Sequence, residues 1–279
     1  MKLKDVLSPS FRDLGRELDL KVEVFDGRLV IIAPMWRKAL SVESQFCHAV
    51  VAIGYLTDEQ MCRAARRYRL GATKNGGVIF WQMDAEGVIY DGKVMYYREE
   101  CHRDKLHHPT WVSTLLTHRH HWPDADRLTT RHCFFGTHLL ERRRTTEQRG
   151  RKSNLFSGRK NSLFCESGER GIAVVESEKS AVILSELFPH YLWLATGGMG
   201  NVQPDSFRPL RGHRVVLFPD TDPDGTAYRR WYEAAQTVML QPFWEGSPPI
   251  TVSPLLELHA TPEQKAGKID IVDFIFDQR

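Results

Sequence analysis

The stretch VVLFPDTDPDG, residues 215–225, decides the fold: an apolar run ends in three alternating aspartates, Asp220, Asp222 and Asp224, followed by Gly225. A short apolar run bounded by turn residues reads as a buried strand. Negative charge at the mouth of such a strand fits three chemistries: a calcium loop, a phosphatase nucleophile, or a magnesium site working on nucleic acid.

Reading outward, further runs of strand length occur at GIAVV (171–175), YLWLA (191–195) and PITVS (249–253). Between the first two, Ala181, Leu184, Leu187 and Phe188 recur at helical spacing, and TAYRRWYEAAQTVML after the third strand reads as a second helix. A closing helix is expected in KIDIVDFIFDQ. Strands alternating with helices predict an α/β unit with a parallel sheet flanked on both faces, in which chemistry collects at the carboxyl ends of the strands. That rule gathers Glu176 after the first strand, Gly197 and Gly198 after the second, and Asp220 and Asp222 after the third. If the first and third strands are neighbours, the acids converge, and converging carboxylates repel unless a cation neutralises them. Oxygen ligands suit Mg²⁺ or Mn²⁺. Asp224 is either a further ligand or a cap on the helix that begins near Gly225.

Spacing weighs against the first two chemistries. Counted from Asp220, the position at which a calcium loop needs a bidentate glutamate is Trp231. A haloacid-dehalogenase phosphatase would use Asp222 and Asp224, but it normally places this motif at the start of its fold, with further catalytic residues downstream.

Composition sets outer bounds. The chain has 279 residues, 42% hydrophobic and 26% charged, with a formal charge of +3. That is a globular composition long enough for two domains, and no apolar run reaches membrane-helix length. The five cysteines form no CxxC pair, so neither a disulfide framework nor a zinc ribbon is indicated. A cytoplasmic location is expected, with no membrane partner. Basic charge gathers in RRRTTEQRGRKSNLFSGRK (142–160), where eight basic residues, among them Arg142, Arg143, Arg144, Arg151, Lys152, Arg159 and Lys160, oppose one acid, Glu147. This stretch reads either as a plain solvated connector or as a segment that tracks a nucleic-acid backbone. The expected organisation is an α+β N-terminal domain over 1–145, a basic linker over 146–168 and an α/β domain over 169–279.

VVESEKSA (174–181), LATGG (194–198) and VVLFPDTDPDG, in this order and strand context, resemble the Toprim domain shared by bacterial-type primases, topoisomerases and several nucleases. With GGVIFWQMDAEGVIYDGKVMYY, RHCFFGTHLL and WLATGG included, the chain from about residue 60 onward is similar to Toprim primase-like proteins of bacterial chromosomes and mobile elements. The resemblance implies a C-terminal Toprim domain and metal-dependent phosphoryl transfer. Glu176 would act as general acid or base or help hold metal, and Asp220 and Asp222 would coordinate Mg²⁺ or Mn²⁺. Lys179, one helical turn beyond Glu176, would reach a substrate phosphate or pair with a neighbouring acid. Gly197 and Gly198 would let backbone approach closely.

The N-terminal half is less specific. Thr57 and Gln60 form a capping-box pattern before a helix whose Arg63, Arg66, Arg67 and Arg69 make a basic edge. Residues 76–97 alternate like a β-meander turning at Asp84 to Gly87, and place Lys93 as a candidate template contact. Eight of the twelve histidines fall between His102 and His138, beside Cys101 and Cys133, at spacings that match no zinc finger. Trp111, Trp122, Phe134 and Phe135 are either core or base-stacking platforms.

The expected function is therefore a primase-like nucleotidyltransferase acting on single-stranded DNA and nucleotides, with a replicative helicase as a candidate partner. A Toprim nuclease and a non-catalytic nucleic-acid-binding accessory of a mobile element are the alternatives.

Overall fold

The computed structural model describes residues 21–25, 28–32, 44–73, 75–112, 133–140 and 170–277. Four strands, β7 (Ile172–Val175), β8 (Leu192–Ala195), β9 (Val215–Phe218) and β10 (Thr251–Val252), form a parallel sheet in the order β10-β9-β7-β8. The expected parallel sheet is present, and β7 and β9 are neighbours.

Period-two alternation gives the sheet two apolar faces. Ala173 and Val175 of β7 face one cluster, with Ala181, Val182, Ile183 and Leu184 of helix α3 (Glu178–Leu187). Ile172 and Val174 face the other, with Trp231, Ala235 and Val238 of helix α4 (Thr226–Met239). The helices thus cover opposite faces. Three short helices complete this half: α5 (Leu255–His259), α6 (Pro262–Gly267) and α7 (Ile271–Phe276). The closing helix is shorter than the sequence suggests, because Asp270 caps it by accepting the Val272 and Asp273 amides.

A second sheet, in the order β3-β4-β5-β6, is antiparallel. It comprises β3 (Gly71–Ala72), β4 (Val78–Met83), β5 (Ile89–Met95) and β6 (Thr110–Trp111). The expected turn between β4 and β5 is there: the Gly87 amide donates to the Asp84 carbonyl, and Gly87 has φ +83°. Two further strands, β1 (Lys21–Phe25) and β2 (Arg28–Ile32), pair as a hairpin the sequence reading did not anticipate. Helices α1 (Gln45–Ala52) and α2 (Asp58–Tyr68) precede this sheet in the chain, α2 opening with the Thr57–Gln60 capping box.

One apolar cluster joins the two halves. Phe46, Tyr68, Phe80 and Tyr97 share it with Ala173, Trp193 and Val272. Phe135 pairs with Ala195 across an isolated bridge, and its ring stacks on Tyr68 at 4.9 Å. Phe134 and Phe135 are therefore core side chains and unavailable for stacking on bases. The expected linker, 146–168, lies outside the described residues. No helix among the described residues is long and apolar enough to cross a membrane.

Candidate functional site

The carboxyl ends of β7, β8 and β9 lie level, since Val175 is the register partner of both Ala195 and Phe218. The next residues along each strand open one cleft of about 420 Å³ lined by Glu176, Gly197, Gly198 and Asp220. The order of strands does what their spacing in sequence cannot: it brings residues 44 positions apart onto one wall. Glu176 also carries the glycine turn, its carbonyl accepting the Gly197 amide at 2.9 Å. Gly197 has φ +76°, and a Cβ there would lie 2.9 Å from Glu178 Oε1, so this position needs glycine for both conformation and space.

Asp220 occupies the most unfavourable electrostatic position in the cleft. Burial pushes its carboxyl well above the usual carboxylate range, and the nearby charges of Asp270 and Glu176 push it further. Asp222 makes different contacts. Its Oδ1 accepts the Asp224 and Thr226 amides at 3.0 and 2.9 Å, and its Oδ2 accepts the Ala227 amide at 2.6 Å. Partial burial raises this carboxyl, but the three amides outweigh it and hold the group below its usual range. Asp222 thus caps α4, the role the sequence had offered to Asp224, and it is not among the residues lining the cleft. Asp224 is exposed and its carbonyl accepts from Arg229 at 2.7 Å.

Lys179 is buried at the cleft wall with its charge engaged by two acids. Its Nζ lies 3.2 Å from Asp270 Oδ2 and 3.2 Å from Asp273 Oδ1. Burial alone would lower its pKa, but the two acids outweigh burial and raise it. Lys93 reaches across from β5, with Nζ 3.1 Å from Glu178 Oε2 and 2.9 Å from the Gly197 carbonyl. Glu178 and Asp270 are acids of this site that the sequence did not single out: Glu178 lies inside the quoted VVESEKSA and Asp270 inside the expected closing helix.

The remaining basic residues are distributed unevenly. Arg63 and Arg67 of α2 both pair with Glu186, so half of the expected basic edge holds α2 to α3. Arg69 caps the same helix in the left-handed conformation, while Arg66 is exposed. His102, Arg103 and Lys268 stand at the exposed rim of the cleft. Arg142, Arg143, Arg144, Arg151, Lys152, Arg159 and Lys160 lie outside the described residues.

The donor set suits a hard cation. Mg²⁺ commonly takes one or two protein carboxylates and completes its shell with water and substrate phosphate. Glu176 and Asp220 could supply those carboxylates. Among the described residues, no three His, Cys, Asp or Glu side chains are grouped to hold a metal. His138 is buried with Nε2 3.1 Å from the Arg67 carbonyl.

A family profile described as Domain of unknown function (DUF6371) matches residues 44–221, well over half of the chain. The chain belongs to that family. The match takes in Glu176, Gly197, Gly198 and Asp220 and stops before α4. No curated protein matches the chain. Among solved structures, the crystal structure of the primase fragment of the bacteriophage T7 primase-helicase protein is 16% identical, with a TM-score of 0.38, covering 73% of this chain and 69% of that one.

Proposed function

We propose that this DUF6371 protein is a primase-like nucleotidyltransferase of Toprim type, joining nucleotides on single-stranded DNA with Mg²⁺ or Mn²⁺. The observation that carries this reading is the meeting of Glu176 and Asp220 at adjacent parallel strand ends in one cleft, with Asp220 enclosed beside other acids. Such a pair is unfavourable by itself and becomes favourable when a divalent cation joins it.

When bound, the cation would neutralise phosphate oxygens and charge developing on the leaving oxygen. The chain's residues do the rest. Glu176, at the open end of β7, is placed to accept the proton of an attacking 3′-hydroxyl as that oxygen bonds to the α-phosphorus and pyrophosphate departs. Asp220 anchors the site from β9. Gly197 and Gly198 put backbone without side chains of their own on the cleft wall. Arg103 and Lys268 supply positive charge at the rim against an incoming polyanion.

The test is incubation of the purified protein with single-stranded DNA, labelled ribo- and deoxyribonucleotides and Mg²⁺ or Mn²⁺, beside Glu176→Gln and Asp220→Asn. Short labelled products that vanish in both variants are expected. DNA fragments instead would move the assignment to a nuclease. DNA binding with neither product, unaltered by Glu176→Gln, would make the protein a non-catalytic accessory.

A further inference from the structure

The stretch 268–273 touches both arms of the cleft. The Thr221 amide, one residue past Asp220, donates to the Ile269 carbonyl at 3.2 Å. Asp270 Oδ2 accepts from the Ser180 hydroxyl at 2.7 Å and lies 3.2 Å from Lys179 Nζ, both on the first turn of α3 directly after Glu176. Asp270 Oδ1 caps α7 through the Val272 and Asp273 amides, and Asp273 takes the other side of Lys179. Asp270, Lys179 and Ser180 are all buried, and Asp270 lines the cleft.

These contacts form one chain of hydrogen bonds and ion pairs: Asp220 loop, Ile269, Asp270, then Ser180 and Lys179, then the helix that follows Glu176. We propose that Asp270, with Lys179 and Ser180, is a positioning element that sets the placement of Glu176 relative to Asp220. The family match ends at residue 221, so the Asp270 half of this clamp lies beyond it, while Lys179 and Ser180 lie within it. The clamp also accounts for the contacts of Lys179 at the cleft wall: without it, the buried Asp270 and the half-buried Asp273 would face each other without a countercharge. The inference deepens the assignment of Glu176 and Asp220 as a cation-binding pair and rests on it for one of its two readouts.

The test compares Asp270→Asn, Asp270→Ala and Lys179→Met with the parent protein and with Asp220→Asn. Asparagine is as good a helix cap as aspartate, so Asp270→Asn keeps α7 while replacing the charge that faces Lys179. Hydrogen exchange reads the clamp without any metal: faster exchange of the Thr221 amide is expected in Asp270→Asn and Lys179→Met, with β7 and α4 as protected as in the parent. Mn²⁺ titration reads its consequence: affinity should fall about tenfold or more in both variants, the usual effect of losing a partner behind a ligand. Asp270→Ala should add loss of the cap and a lower melting temperature. Unchanged Thr221 exchange and unchanged Mn²⁺ affinity in a folded Asp270→Asn protein would overturn the clamp. Failure of the parent to bind Mn²⁺, or equal binding by Asp220→Asn, would instead overturn the metal assignment, and unchanged Thr221 exchange would then overturn the clamp on its own. Should Lys179→Met fail to fold, Asp270→Asn decides.

Discussion

Lys93 Nζ lies 3.1 Å from Glu178 Oε2, so a strand of the antiparallel sheet holds the first turn of the helix that follows Glu176. Both side chains are largely buried, at 12% and 3% exposure, which makes each dependent on the other. Removing one partner of such a pair leaves an uncompensated charge, at a cost of about 3–5 kcal/mol. Lys93→Met should destabilise the protein by that order in chemical denaturation. The double variant Lys93→Met/Glu178→Gln should recover more than half of the loss, and a double variant no better than the single would show that the pair is not the source.

Asp222 accepts three amide hydrogen bonds at the start of α4. Loss of an N-terminal cap typically costs ~1 kcal/mol. Asp222→Ala should lower stability by at least that amount and Asp222→Asn by less, measured as shifts in denaturation midpoint. If Asp222 were instead mainly a cation ligand, the Asn variant would keep its stability yet lose Mn²⁺ affinity as fully as Asp220→Asn.

Asp220 gives a pH signature in chelator. Its folded-state pKa is raised, so stability is lost as pH climbs from the unfolded value, about 3.9, through the folded one. Asp220→Asn lacks this titration. The variant should match the parent at acid pH and exceed it increasingly as pH rises, levelling off above the folded pKa. Saturating Mg²⁺ should narrow the gap by stabilising the parent alone. Equal melting curves at all pH values would remove the electrostatic account of this residue.

Gly197 combines φ +76° with a close approach to Glu178. A left-handed backbone costs an L-residue roughly 1–2 kcal/mol, and the Cβ adds a clash with a carboxylate that Lys93 already holds. Gly197→Ala should therefore destabilise more than Gly200→Ala, which meets nothing within 4 Å. Equal effects would mean that the turn relaxes freely.

Much of this architecture is written locally. The apolar runs ending at Val175, Ala195 and Phe218 are strands because each is short, β-branched or aromatic in part, and followed by turn residues. Thr57 and Gln60 close a capping box because both partners lie within one turn. The turn at Gly87 follows from its backbone freedom. Even the meeting of Glu176 with Asp220 follows once β7 and β9 are neighbours, since all parallel strands present their carboxyl ends to the same edge.

What the sequence by itself determined, then, is the set of strands and helices and the edge at which the acids emerge, because periodicity and capping act over a few residues. Only the tertiary structure decided which charges are spent holding the protein together. Lys179 faces Asp270 and Asp273, Arg63 and Arg67 face Glu186, and Lys93 faces Glu178. Asp222 turns to its own helix while Asp220, two residues away, faces the cleft. A charge pairs with whatever opposite charge the fold carries within a few ångströms, and that distance is set by the packing of sheets and helices rather than by separation along the chain.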